Sequence, residues 1–184
     1  SLAFEPSDDV TLGGTALAQA PAGEGAGDLL NLAATVRAQQ IAGALERVLE
    51  ITVGYAMERE AFTKKIAKFQ AVQQSLATFA CEAAATNCAA MGAAQALDRG
   101  EAGFEVAAAK LRANRAVEVG TTVAHQVHGA IGFTQEYGLH PLTRRLWQWR
   151  SEYGNDAYWS KRLGTLVVDA GADAFWPGLT ARTD

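Results

Sequence analysis

The sequence predicts an all-α fold, an up-down four-helix bundle, on three observations. Apolar residues recur at three- and four-residue spacing over long stretches, which is the period of a helix with one buried face. Proline is scarce, 4 in 184 residues, while alanine is abundant, as suits helices that pack closely. The connections between the periodic stretches are short, so successive helices lie antiparallel as neighbours.

Residues 1–27 read as the end of a preceding β-domain and a linker: a β-leaning start, then Asp8-Asp-Val-Thr-Leu-Gly-Gly14, then the flexible run Pro21-Ala-Gly-Glu-Gly-Ala-Gly27. The alternating glycines of that run fail as a dinucleotide fingerprint, because Asp28 stands where the last glycine is required and no strand–helix unit surrounds it. Asp28 instead suits the N-cap of a helix reaching about Glu60, with Leu29, Leu32, Val36, Ile41, Leu45, Val48, Thr52 and Tyr55 on one face. A turn at Thr63-Lys-Lys-Ile66 leads to a second helix, about Gln70 to Asp98, with Val72, Leu76, Phe79, Ala83 and Met91 inward and Gly100 as its stop. A third helix is expected from about Phe104 to Val127, with Leu111, Val119, Val123 and Val127 on one stripe. A short helix near Pro141–Trp149, a break at Tyr153-Gly-Asn155 and a last helix to Ala170, ended by Gly171, complete a bundle domain over 28–170. Residues 171–184 form a tail.

The net charge of −4 with mixed signs, and the lack of any long Lys/Arg run, argue against nucleic-acid and anionic-membrane partners. The first residues lack the cationic start and apolar run of a signal peptide, and no stretch has the length of a membrane span, so the expected location is the cytoplasm. Cys81 and Cys88 fall on one helix about 10 Å apart, too far for a disulfide, and are expected to be buried thiols.

Chemistry concentrates in His125-Gln-Val-His-Gly-Ala-Ile-Gly-Phe-Thr-Gln-Glu-Tyr-Gly-Leu-His140, which holds one carboxylate, Glu136, between two helices. Gly129, Gly132 and Gly138 would allow tight turns, and Ile131, Phe133 and Tyr137 could strip water from the acid and raise its pKa toward working pH. Two readings stand: a solvated loop glutamate, as most loop carboxylates are, or a general base. His125, His128 and His140 have weak metal-ligand spacing and read as satisfied core or loop histidines. No serine-hydrolase elbow, phosphate-binding loop or evident nucleophile is present.

Tyr55-Ala-Met-Glu-Arg-Glu-Ala-Phe62, Ile66, Phe69-Gln-Ala-Val-Gln73 and Gly132-Phe-Thr-Gln-Glu136 occur in the order found in acyl-CoA dehydrogenases, and residues 28 to 165 resemble the C-terminal helical domain of that family. The resemblance implies an FAD flavoprotein in which a glutamate removes the pro-R α-proton of an acyl-CoA thioester while the β-hydride passes to N5 of the flavin, yielding a trans-2-enoyl-CoA. By that resemblance Glu136 is the base. Some members carry the base on the first helix of this domain, at a position that here is about Ala33, which cannot serve. Arg59, Phe62 and Gln70 match positions that hold the adenine and pyrophosphate of a neighbouring subunit's FAD. Gln126, Gly129 and Ala130 match the loop beside that same cofactor, and Asn155 a position near the flavin. Arg59 alone reads equally well as a helix-end cation.

Departures from the family pattern are Ala130 for a second glycine, Thr63 for a glycine, and Gly154-Asn155-Asp156 for Gly-Thr-Ser/Asn. Arg144 and Arg145 read as bundle salt-bridge partners. The resemblance further implies a dimer or tetramer of identical chains, an electron-transfer flavoprotein as electron acceptor, and inactivity of this chain by itself, since the family's first two domains are absent from it. The alternatives are a catalytically incomplete bundle that mediates oligomerisation, or a related flavin oxidase.

Overall fold

The computed structural model describes residues 1–6, 8–11, 13–14, 29–100 and 102–182. The expected Asp28 cap and the Pro21–Gly27 connector lie outside these residues.

Three long helices form the body: α1 (Leu29–Glu58), α2 (Gln70–Arg99) and α3 (Gly103–His128). The Gln39 amide donates to the Ala90 carbonyl, and Arg112 pairs with Glu82, so α2 runs antiparallel to both neighbours. The shorter α4 (Leu139–Ser151) packs on α1 and α3, α5 (Asp156–Ala170) packs on α3, and α6 (Ala172–Thr180) packs on α5. Alanine dominates the shared core, with Ala34, Ala38, Ala90, Ala93, Ala113 and Ala124 fully or almost fully buried. Small side chains let the axes approach closely, and the limit is reached at Gly120, where a Cβ would sit 2.6 Å from Phe79 and 2.7 Å from Leu45. Among the described residues no helix is long and apolar enough to cross a membrane.

The structure departs from the sequence expectation where packing chose small residues over large ones. The inward stripe at the start of α1 is Asn31, Ala34, Thr35 and Ala38, while Leu29, Leu32 and Val36 face outward. Met91 is likewise exposed, and so are Cys81 and Cys88, because the stripe through Phe79, Ala83, Thr86 and Ala90 turns them away from the core. The two thiols are free.

The expected turn at 63–66 is a hairpin of β1 (Glu60–Ala61) and β2 (Lys64–Lys65), with Phe62 and Thr63 between them. Gly100 ends α2 in the left-handed conformation, as its position suggests. The expected tail carries α6, whose following Arg182 pairs with Glu105 and lies over Phe104. The β-leaning start forms no strand among the described residues, since no strand of the chain reaches it to complete a ladder. It docks on α4 instead: Arg144 donates to the Leu2 carbonyl at 2.6 Å and covers Phe4, while Glu5 pairs with Arg145 and accepts from Trp149 Nε1.

Candidate functional site

The hairpin after α1 determines what the neighbouring side chains are free to do. Its two-residue loop places Phe62 (φ 50°) and Thr63 (φ 67°) in the left-handed region, which a twisted hairpin demands and which a β-branched residue resists. Phe62 is thereby held out from the domain, 88% exposed. Lys65 pairs with Glu60 across the strands at 2.8 Å, holding the Glu60 carboxyl below its ordinary range. Its ammonium also donates to the Glu58 carbonyl at 3.0 Å, which makes Lys65 the cation at the C-terminus of α1. Arg59 is left exposed, with no hydrogen bond or ion pair from its side chain among the described residues.

Beside the hairpin lies a pocket of about 410 Å³ whose lining includes Phe62, Ile66, Phe69, Val72, Gln126 and Val127. Phe62, from the hairpin, and Gln126, from α3, are 64 positions apart in the chain and both line it. Gln70 opens α2 next to Ala71, which also lines the pocket. The N-cap residue Phe69 makes no side-chain capping bond, so the first N–H groups of α2 keep their partial positive charge.

At the end of α3, Gly129 (φ 63°) stops the helix and a 3-10 turn, Gly129–Phe133, follows. Ala130 has no positive φ, so replacing a glycine there costs the backbone nothing. Of the three glycines expected to bend this loop, Gly129 supplies the left-handed angle and Gly132 supplies space, since a Cβ would lie 3.0 Å from His128 Cβ and 3.1 Å from Leu139 Cδ2. Gly138, at φ −60°, takes an angle open to any residue.

Glu136 lies between this turn and α4. It is exposed, and its carboxylate makes no hydrogen bond or ion pair among the described residues. The water-stripping role expected of its neighbours is not filled within the chain. Ile131 is exposed, Phe133 is 64% exposed and stacks on His125 at 4.1 Å, and Tyr137 turns inward.

His128 is buried, its Nδ1 bonded to the Ala124 carbonyl at 2.7 Å and its Nε2 without a partner. Burial holds its pKa below the ordinary imidazole value, against the opposing Ala124 bond. Burial and the neighbouring His128 and His140 do the same to His125. No metal-binding group of three acidic, cysteine or histidine residues occurs among the described residues.

Asn155 is separated from the other candidates by the length of α4, about 20 Å. Its Oδ1 accepts from the Tyr158 N–H at 3.0 Å, so it serves as the N-cap of α5. The loop it belongs to is strained: Tyr153 (φ 53°) and Gly154 (φ 104°) are both left-handed, and a Cβ on Gly154 would sit 2.3 Å from Trp159 Nε1.

Holding this loop is a residue that sequence reasoning missed. Lys110 is fully buried, and its ammonium donates to Asn114 Oδ1 (2.6 Å) and to the carbonyls of Gly154 (3.1 Å), Arg150 (3.3 Å) and Trp149 (3.4 Å). Burial pushes its pKa down to about 8, with Asp156 and Glu152 pulling the other way. The signal was its place on the inward stripe Val106, Lys110, Ala113, Val117.

Among the described residues the bundle thus presents at its surface a loop carboxylate and a guanidinium without side-chain partners, and an apolar pocket. The family model for the acyl-CoA dehydrogenase C-terminal domain matches residues 25–157, and the chain belongs to that family. It is 34% identical over 144 residues to acyl-CoA dehydrogenase FadE34 of Mycobacterium tuberculosis, covering 77% of this chain and 20% of that protein. Among solved structures it is similar to the ChsE4–ChsE5 complex from Mycobacterium tuberculosis, with TM-score 0.77 and 28% identity over 81% of this chain and 41% of that one. Butyryl-CoA dehydrogenase from Megasphaera elsdenii matches with TM-score 0.72 and 25% identity, covering 76% of this chain and 37% of that one. The chain thus spans between a fifth and about two fifths of these relatives.

Proposed function

We propose that the chain is the C-terminal domain of an FAD-dependent acyl-CoA dehydrogenase, in which Glu136 removes the α-proton of an acyl-CoA thioester. The observation that carries this is Glu136 itself, an exposed loop carboxylate with no hydrogen bond or ion pair among the described residues. Its backbone N–H also makes no hydrogen bond among the described residues. That leaves one donor to polarise the thioester carbonyl, which makes the α-carbon more acidic as the carboxylate draws off the proton. Removal of the α-proton by Glu136 and departure of a hydride from the β-carbon leave a trans double bond between them.

FAD, when bound, accepts that hydride. The residues around the hairpin pocket fit such a cofactor: Arg59 offers a planar fork of donors to pyrophosphate, the uncapped start of α2 at Gln70 offers backbone N–H groups, and Phe62 and Gln126 line an apolar recess for a ring. Gly129 and Ala130 complete the proposed contacts at this end of the domain, while Asn155, at the far end of α4, is proposed to lie near a flavin with its amide nitrogen free to donate. A neighbouring copy of the chain supplies the cofactor to this face, so the proposed enzyme is a homo-oligomer, and an electron-transfer flavoprotein takes up the electrons.

In the full-length protein, anaerobic addition of acyl-CoA should bleach the flavin band. A flavin left oxidised by every chain length would overturn the reading, and rapid reoxidation by oxygen would favour the oxidase alternative. Arg59→Ala should lower flavin content per subunit while leaving the melting temperature of the flavin-free protein unchanged, because the side chain makes no hydrogen bond or ion pair among the described residues. Full flavin occupancy in that variant would remove Arg59 from the cofactor site.

A further inference from the structure

All three histidines of the chain lie between positions 125 and 140, His125 and His128 at the end of α3 and His140 at the start of α4. The loop that joins the two helices is seated on the first two. Gly132, in its 3-10 turn, is buried, and a Cβ there would lie 3.0 Å from His128 Cβ and 3.2 Å from His125 Nδ1. The loop backbone therefore rests directly on both side chains. Its aromatic residues close over the same rings: Phe133 stacks on His125 with centroids 4.1 Å apart and 15° between the planes, and Tyr137 lies against His128 at 5.2 Å. From α1, Tyr55 stacks on His128 at 4.5 Å. Beyond the 3-10 turn the loop makes two backbone bonds among the described residues, from Thr134 N–H to the Ile131 carbonyl and from His140 N–H to the Tyr137 carbonyl, each at 3.2 Å. A loop so lightly tied by its backbone depends on the rings beneath it.

What the rings can do follows from where a second proton would go. The Ala124 carbonyl only accepts, so the 2.7 Å bond from His128 Nδ1 places the neutral ring's hydrogen there and leaves Nε2 bare, buried and without a partner. His125 Nδ1, the atom facing Gly132, is likewise buried without a partner. An imidazolium carries N–H on both nitrogens, so charging either ring sets a donor where no acceptor meets it. The stacked faces of Phe133 and Tyr55 cannot take that bond, because the N–H lies in the imidazole plane. The titratable groups that face the pair are the Tyr55 phenol of α1, the Tyr137 phenol of the loop and His140 of α4, with Glu58 of α1 on the Tyr137 side. None of them hydrogen-bonds or pairs with either imidazole among the described residues. Burial accordingly favours the neutral form of both rings.

We propose that His125 and His128 form a proton-operated latch: as neutral rings they hold residues 129–138 down on the bundle, and their protonation in acid lifts the loop and gives each new N–H to water. No role of Glu136 or of a cofactor enters this inference. With the loop open, the rings titrate near the ordinary imidazole value of 6.5, whereas with the loop closed they take up a proton only at lower pH. Below about pH 6.5 the open form therefore binds more protons, and acid shifts the balance toward it by up to about tenfold per pH unit for each histidine, about 100-fold for the pair.

Hydrogen exchange of the full-length protein tests this, read by mass spectrometry on the peptide spanning residues 129–140 and corrected for the intrinsic pH dependence of exchange. Protection of that peptide should be level from about pH 8 to pH 7 and fall by about 10- to 100-fold between about pH 6.5 and pH 5.5, while α2 stays protected. The double variant His125→Phe with His128→Phe keeps rings to stack on and removes both protonation sites, so the fall should vanish. His128→Phe alone should cut it to about tenfold or less, and serves if the double variant does not fold.

Unchanged protection in the parent on acidification would overturn the latch. A fall of the same size in the variants would overturn it as well, since the titrating group would then lie elsewhere, Glu58 being the nearest carboxylate named above. Equal loss of protection in α2 would mean that acid unfolds the bundle as a whole, and would also overturn it.

Discussion

Glu136→Gln in the full-length protein is expected to retain its FAD and to lose flavin reduction by acyl-CoA by about 10²- to 10⁴-fold, the usual worth of a positioned general base. The amide keeps the size and planarity of the carboxylate and the backbone N–H at the same residue, so carbonyl polarisation survives and only the proton acceptor is gone. Folding should be indifferent to the change. The carboxylate is exposed and has no hydrogen bond or ion pair among the described residues, so substitution there should move stability by no more than about 0.5 kcal/mol. Stopped-flow bleaching separates the outcomes cleanly, because loss of rate with a normal flavin spectrum and normal melting points to chemistry. Near-parent bleaching by Glu136→Gln would return the residue to a solvated loop position. The proton would then need another acceptor, and Ala33 cannot be it.

Among the described residues nothing desolvates this carboxylate. The sequence shows three apolar neighbours, and nothing in their spacing says that Phe133 would spend its face on His125 or that Tyr137 would turn in toward α1 and α3. Packing makes those choices: Tyr137 turns toward Tyr55, 82 positions earlier in the chain, and Phe133 toward His125, 8 positions earlier. The helices were legible for a simpler reason: period and stop signals are local, and Gly100, Gly129 and Gly171 each end a helix at positive φ.

Faces were legible only in part. A hydrophobic count favours Leu29, Leu32 and Val36, yet close packing selected Ala34 and Ala38 and left the larger residues outward. Burial is the more reliable rule for small residues in an alanine-rich bundle, since an exposed leucine violates nothing. The helix-end position that Arg59 could fill is taken through a contact that no local pattern displays. Lys65, across the hairpin, reaches back to the Glu58 carbonyl and takes the helix-end role.

Lys110→Met should be the most destabilising single substitution discussed, by about 2–4 kcal/mol, because it removes the donor from buried acceptors without supplying another. The magnitude follows from who is left unpaired. Gly154 O keeps the Asn114 amide at 3.3 Å, and Trp149 O keeps the Glu152 N–H at 3.3 Å. Asn114 Oδ1 and Arg150 O lose the ammonium, each costing about 1–3 kcal/mol when buried and unsatisfied. For a chain of this size that corresponds to a fall of roughly 5–15 °C in melting temperature.

The pH dependence distinguishes this mechanism from a packing defect. With its folded pKa lowered to about 8 from 10.5, Lys110 binds fewer protons in the folded than in the unfolded state across that window. Its contribution to stability therefore rises with pH between those values, by about 3 kcal/mol in all. Lys110→Met lacks that rise, so the gap between parent and variant should widen from pH 7 to pH 10. A gap that stays constant over this range would mean that the Lys110 amine is not desolvated in the folded state as its buried position between α3 and the Tyr153–Gly154 turn requires.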